Sequence, residues 1–566
     1  MEKAENTCEK AALRPPSLVM RLSRMGSIHQ CRLSFMRILL RRMKHENWTF
    51  DRPVFEVDAK GVGHAVYTAK GPKRTYSLVA FAHDLPPEMR SDRVIATAWD
   101  ATFTLFDGFP TAEDIIRLSR NVPLQEVGRV SSKELSVSRA NRSVRLFEHV
   151  ISSLAAGHQP DAKMIESVGY LMRTTAVYGS GKLGAADREM ICDRPEFTAP
   201  FQCEMLSVFL TRTFVLDLAE HLAAARSPDT AVKMDPALRR RLGIGNSTGL
   251  GMAPFLVNHP VLLNNWVAAR EEALARVRSV ATASDSEVSH FLALLPRAVQ
   301  NVADWHSEHP IQIEKLAALK ADLKLLTTHV TKANLKENAP WNQLYLWAAE
   351  NLSTEGQELL VSLMMEPYGD LIDELADCMS ADETTVFPIN GAMSLSHLGA
   401  LCDEVYGWAK KIDWQSHAAQ ARAWYVSEEK LEPRLGERFE EPIAEYEQPL
   451  SPARDAMRMV EDLDTWEGDD TVAAFVLRHP EHRHIVRRLQ LSERFPYAEI
   501  RDNTIDADVL PIDMLRCKLA FFGATHFDPR SDRWVRINMY RNAPYPEELA
   551  MSAEDWSYPT LSEGNA

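Results

Sequence analysis

Residues 243–251 read Gly-Ile-Gly-Asn-Ser-Thr-Gly-Leu-Gly and lie just after Arg239, Arg240 and Arg241, with Leu242 between. So many glycines free the backbone to curl and let a ligand approach its N–H groups, while Asn246, Ser247 and Thr248 add side-chain donors. This is the composition of a loop that holds an anionic group. Two other segments share the character. Tyr178-Gly179-Ser180-Gly181-Lys182-Leu183-Gly184 sets Ser180 and Lys182 among glycines. The stretch from Ser138 carries Arg139, Arg142 and Arg145 at every third position, with Asn141 alongside. Read as the first turns of a helix, those arginines face its positive pole, an opposition of about 0.3–1 kcal/mol each that a bound anion relieves. The competing reading makes Gly179 and Gly243 helix-capping glycines, with Arg239–Arg241 at the negative end of a helix.

If the three segments meet, roles follow from residue type. Arg139, Asn141, Arg142, Ser180, Asn246, Ser247 and Thr248 bind the anion. Lys182 acts as an electrostatic clamp or, once desolvated, as a base. His259, beside Asn258 at a helix start, is an acid or base, and Asn264 reaches the same pocket one helical turn on.

Nucleotide motifs do not fit. A P-loop needs G-x-x-x-x-G-K-[ST], but Lys182 is followed by Leu183 and the first glycine's place is Ala176. In G-x-G-x-x-G, Thr248 takes the third glycine's place. No G-x-S-x-G elbow occurs. The histidine runs Asp304/His306/His309 and His479/His482/His484, and the pairs Glu287/His290 and Glu481/His484, occur at near-chance frequency and lack the ligand count of a closed site. The expectation is therefore no metal and no dinucleotide; any other cofactor stays undetermined.

A chain of 566 residues with 45% hydrophobic and 25% charged content is globular and spans several domains. The pattern predicts a mainly α (α+β) fold: a helical core, a small N-terminal antiparallel sheet and a minor α+β C-terminal region. Residues 1–48 form a basic amphipathic arm. Residues 49–110 form the antiparallel β region, from β-branched runs separated by Gly61, Gly63 and Gly71. Residues 111–335 form a helical domain that carries the anion-binding segments, with helices capped by Ser138, Asp161 and Asp235. Residues 336–427 extend it. Residues 428–470, with 15 acids against five bases and several prolines, read as a linker or wrap. Residues 471–566 form the tail, with strands near Leu519–Phe522 and Trp534–Tyr540.

The arm carries eight Lys or Arg and no acid between residues 14 and 44, on a chain of net charge −15. Leu33, Met36, Leu40 and Met43 recur at helical spacing, so the arm is expected to pack through this stripe, with its arginines facing acids. The stripe should matter more to stability than Arg37 and Arg41. Seven scattered cysteines, none in C-x-x-C spacing, fit a reducing, cytoplasmic setting. No apolar run is long enough to insert in a membrane. Nucleic acid is not the expected partner of so acidic a chain, and self-association stays open.

Two functions follow. One is a cytoplasmic, metal-independent enzyme, of lyase or transferase type, for a small carboxylated, phosphorylated or CoA-linked substrate. The other is a noncatalytic protein whose basic arm docks an acidic partner, nucleic acid included.

Overall fold

The computed structural model describes residues 10–86, 98–125, 127–174, 191–248, 260–305, 310–336, 338–379, 387–415, 452–466, 469–501, 516–524, 526–528 and 535–558. Four strands form an antiparallel meander at the start: β1 (Thr49–Val57), β2 (Gly63–Lys70), β3 (Thr75–Ala82) and β4 (Ala101–Asp107). Their β-branched and aromatic residues pack on a pleated surface, as the sequence indicates. The sheet does not stop there. It continues through β5 (Glu134–Arg142), β6 (Tyr170–Thr174), β7 (Gly243–Thr248), β9 (Val535–Met539) and β8 (His526–Asp528), in that spatial order. All pairings are antiparallel except β6 with β7. The sheet is thus larger than the small antiparallel one expected, and mixed.

Three local readings change with it. Ser138 lies inside β5 and caps no helix; the helix expected there runs Phe147–Ala155 and buries Phe147, Ile151 and Leu154. Gly243 begins a strand instead of ending the Pro236–Arg240 helix. Lys518–Phe522 is a π-helical turn, not a strand. Asp161 and Asp235 do cap helices, each accepting from two backbone N–H groups.

The Gln202–Arg226 helix organises the centre. Its 25 residues, roughly 37 Å long, lie along β2 to β7 and also touch the Phe35–His45 and Phe147–Ala155 helices. Neighbours on several sides explain why apolar residues surround it instead of forming one stripe. The Pro260–Arg278, Asp285–Ala303, Pro310–Val330, Pro340–Asn351 and Thr354–Met365 helices join the same core.

The arm belongs to that core. Leu33, Met36 and Met43 are fully buried and Leu40 nearly so. Arg14 donates to Glu271 and Glu358, each at 2.7 Å, and Arg32 donates to Asp373 at 2.7 and 2.8 Å. Arg37 grips both oxygens of Glu366.

A second, smaller core is built from the Leu395–Tyr406, Pro452–Asp464, Val472–Arg478 and Arg483–Arg494 helices. Pro452–Asp464 falls in the stretch read as a linker and is a helix. Among the described residues no helix is long and apolar enough to cross a membrane.

Candidate functional site

Because β6 and β7 run parallel, their carboxyl ends emerge side by side, the place where ligands collect in sheets with parallel strands. Register sets the neighbours. Asn141 on β5 stands opposite Arg173 on β6, and Arg173 stands opposite Gly245 on β7. One residue on, Asn246 donates from Nδ2 to the Thr174 carbonyl at 2.9 Å. Its Oδ1 accepts from Lys518 Nζ at 3.0 Å. Asn246 and Lys518 are both buried.

Fully buried lysines are uncommon, because an ammonium gives up its water only where other groups replace it. Lys518 opens the π-helical turn, and its Nζ sits 5.8 Å from the centre of the Phe522 ring. Such turns are rare and often mark functional positions. The arrangement places a lysine amine beside the carboxyl ends of β6 and β7, oriented by an amide that the Thr174 carbonyl fixes in turn. It can attract and orient an anion.

The sequence-predicted residues divide. Asn141 and Asn246 are brought to one region of the sheet, and Ser247 and Thr248 continue β7 opposite Arg536 and Val535. Ser180 and Lys182 follow β6 in the chain and His259 follows β7, but all three lie outside the described residues. Arg139 and Arg142 belong to a strand and have partners within the chain, which corrects their placement at a helix start. The Arg139 guanidinium lies 4.5 Å from the Trp99 ring centre. Arg142 covers Phe147 at 4.7 Å and donates to the His83 carbonyl at 3.2 Å. Asn264 accepts the Tyr497 N–H at 3.0 Å, a tie between helix and loop. Arg239 and Arg240 bond to Glu548.

The first two glycines of the 243–251 stretch have a packing explanation. A Cβ on Gly243 would lie 2.4 Å from the Met539 carbonyl oxygen, and one on Gly245 2.6 Å from the Tyr170 ring. Glycine is needed because β7 is pressed against its neighbours, not because the backbone curls there. Gly243→Ala is accordingly expected to cost about 1–3 kcal/mol, the usual range for overpacking, since the obstacle is backbone and cannot rotate away. Urea unfolding would measure it, and an unchanged midpoint would remove the packing explanation.

Sequence reading missed Lys518, a lone cation in an apolar run, and it missed a cleft of about 1310 Å3. Trp48, Phe50, Tyr67 and Tyr545 line the cleft together with Asp217 and Glu220 of the Gln202–Arg226 helix. Asp217 Oδ2 accepts from the Tyr67 hydroxyl at 2.6 Å and from Arg52 at 2.7 Å. Glu220 accepts the Met234 N–H at 3.0 Å, and burial pushes its carboxyl up, toward the protonated form. The i, i+3 spacing of the two acids is the one signal that could have pointed here.

No family model, curated protein or solved structure matches this chain.

Proposed function

We propose that the protein is an enzyme acting on a small anionic substrate, carboxylated, phosphorylated or CoA-linked, bound at the carboxyl ends of β6 and β7. The buried Lys518 ammonium held by Asn246 carries this reading. Lys518 serves as the electrostatic clamp on the substrate anion, a group worth most where water is excluded. Asn246 positions it through the Thr174 carbonyl. The setting we propose is cytoplasmic, on the scattered spacing of the cysteines in the sequence.

The alternative, docking of an acidic partner through the basic arm, has less support. Arg14, Arg32 and Arg37 already bond to carboxylates of the same chain.

The test is a thermal-shift comparison of the wild type with Lys518→Met, which keeps the aliphatic stem and removes the charge. Inorganic phosphate, a short dicarboxylate and coenzyme A serve as probes. A probe at 100 times its Kd stabilises the state it binds by about 2.7 kcal/mol. At least one should raise the wild-type Tm and leave that of Lys518→Met in place. Equal shifts in both proteins, or none with any probe, would overturn the proposal.

A further inference from the structure

The second core brings four potential metal ligands together. Asp462 stands near the end of the Pro452–Asp464 helix. His479, Glu481 and His482 come from the tight turn between the Val472–Arg478 and Arg483–Arg494 helices. One ligand atom from each lies within 4.8 Å of all the others. We propose that Asp462, His479, Glu481 and His482 bind one divalent transition-metal ion, zinc by preference.

The distances favour a shared ion over a set of ion pairs. His482 Nε2 and Asp462 Oδ2 are 2.6 Å apart, an ordinary hydrogen bond. That bond does not account for the other two groups. His479 Nδ1 faces two carboxylate oxygens, Glu481 Oε1 at 3.4 Å and Asp462 Oδ2 at 3.6 Å. Both separations exceed a normal N–H···O distance. They approach the spacing between neighbouring ligands around a tetrahedral ion, roughly 3.3 Å when each ligand is about 2.0–2.1 Å from the metal. The remaining pairs lie within 4.8 Å, so side-chain rotations that lengthen the His482–Asp462 contact and draw the others inward complete the set.

The surroundings hold the ligands in place. Phe475 stacks on His479 at 5.0 Å and on His482 at 5.8 Å between ring centres, and Trp466 meets His479 edge-on at 5.9 Å. These rings fix both imidazoles and keep water from one side. The Glu481 side chain, 60% exposed, leaves the other side open for entry. Two neutral imidazoles and two carboxylates balance a 2+ charge, so the filled site carries no net charge. Mixed imidazole and carboxylate donors suit zinc and its first-row neighbours; calcium and magnesium prefer oxygen alone.

This departs from the expectation of no metal. The H-x-x-H-x-H run presented three histidines with Glu481 among them, and a closed set only if His484 joined it. In the fold His484 turns away, its Nε2 lying 3.0 Å from Asp455 Oδ2, and the missing ligand arrives from another helix. An ion here pins the Pro452–Asp464 helix to the turn. It does not depend on the anion site.

The experiment uses the full chain freed of metal by a chelator, titrated with zinc by calorimetry and with cobalt(II) by visible absorption. One equivalent of zinc should bind and raise the Tm, and cobalt(II) should give the strong visible band of four-coordinate geometry. His479→Ala and Asp462→Asn should each weaken zinc binding at least tenfold. His484→Gln, outside the set, should leave it unchanged. Both ligand variants alter partly exposed side chains, and circular dichroism confirms that each is folded. Should either fail to fold, the wild-type cobalt(II) spectrum decides alone. Absence of stoichiometric zinc, six-coordinate cobalt, or full affinity in folded His479→Ala would overturn the site.

Discussion

Arg37→Met is expected to destabilise the protein by about 3–5 kcal/mol, read as a fall in the urea midpoint at unchanged slope. The cause is the carboxylate left behind. Arg37 donates to both oxygens of Glu366 at 2.6 and 2.7 Å, and each side chain is only 2% exposed. Burial pushes the Glu366 carboxyl up, but the Arg37 guanidinium overrides it and holds the pKa at about 2. Without Arg37, the buried carboxylate keeps only the more distant Arg32, 3.9 Å away, and must take up a proton or open the structure. Arg37→Met combined with Glu366→Met should recover most of the loss, because an apolar pair leaves no uncompensated charge. A double variant no more stable than the single one would sink this account. Arg42→Met is the control. It lies on the same helix, but its partner Asp377 is 64% exposed, so the loss should stay within about 1 kcal/mol.

This expectation differs from the ranking drawn from the sequence, in which the arm's apolar stripe outweighs its charges. Leu33→Ala remains costly, within about 2–5 kcal/mol for a buried leucine. Arg37 matches it because it sits in the core with its partner. Sequence spacing shows which face of the arm is apolar. It does not show that Glu366, more than 300 residues away, closes over the flank that carries Arg37.

The same limit separates what was legible elsewhere. Strands β1 to β3 and the caps at Asp161 and Asp235 follow from local chemistry and were readable, whereas the stretch that forms β4 fitted a strand or a helix equally. Strand β5 was not. It is paired on both sides, and Ser136 and Ser138 are buried beside Leu135 and Val137, so the usual alternation of polar and apolar residues is lost. Strand β7 read as a loop because Gly243 and Gly245 serve close packing. Of the candidate site, Asn141 and Asn246 were found by composition. Their meeting depends on register, and Lys518 comes from a distant part of the chain.

Stability should also fall in acid in two stages, starting well above the carboxylate range. His29 is buried against Tyr558, with ring centres 3.9 Å apart. Burial pushes its pKa down to about 3; Glu366 opposes the fall and Arg37 adds to it. An unfolded histidine titrates near 6.5. Between those values the unfolded chain holds a proton that the folded chain does not, so stability is complete above about pH 6.5 and declines as pH falls toward 3. The slope is about 1.4 kcal/mol per pH unit for one such group. His83, lowered to about 4 by burial and by Arg142, acts in the same window and direction. Glu358 and Glu366 form the second stage. Burial raises both, but their arginine partners hold them at about 2, so their contribution is present above the ordinary carboxylate pKa near 4.5 and lost as pH falls toward 2. Urea midpoints from pH 7.5 to 3 should therefore decline below 6.5, following a loss of about 2.8 kcal/mol per pH unit from the two histidines together, and more steeply below 4.5. In His29→Gln the first decline should shrink while the second persists. An unchanged slope between pH 6.5 and 4.5 in that variant would mean that His29 is not held neutral in the fold.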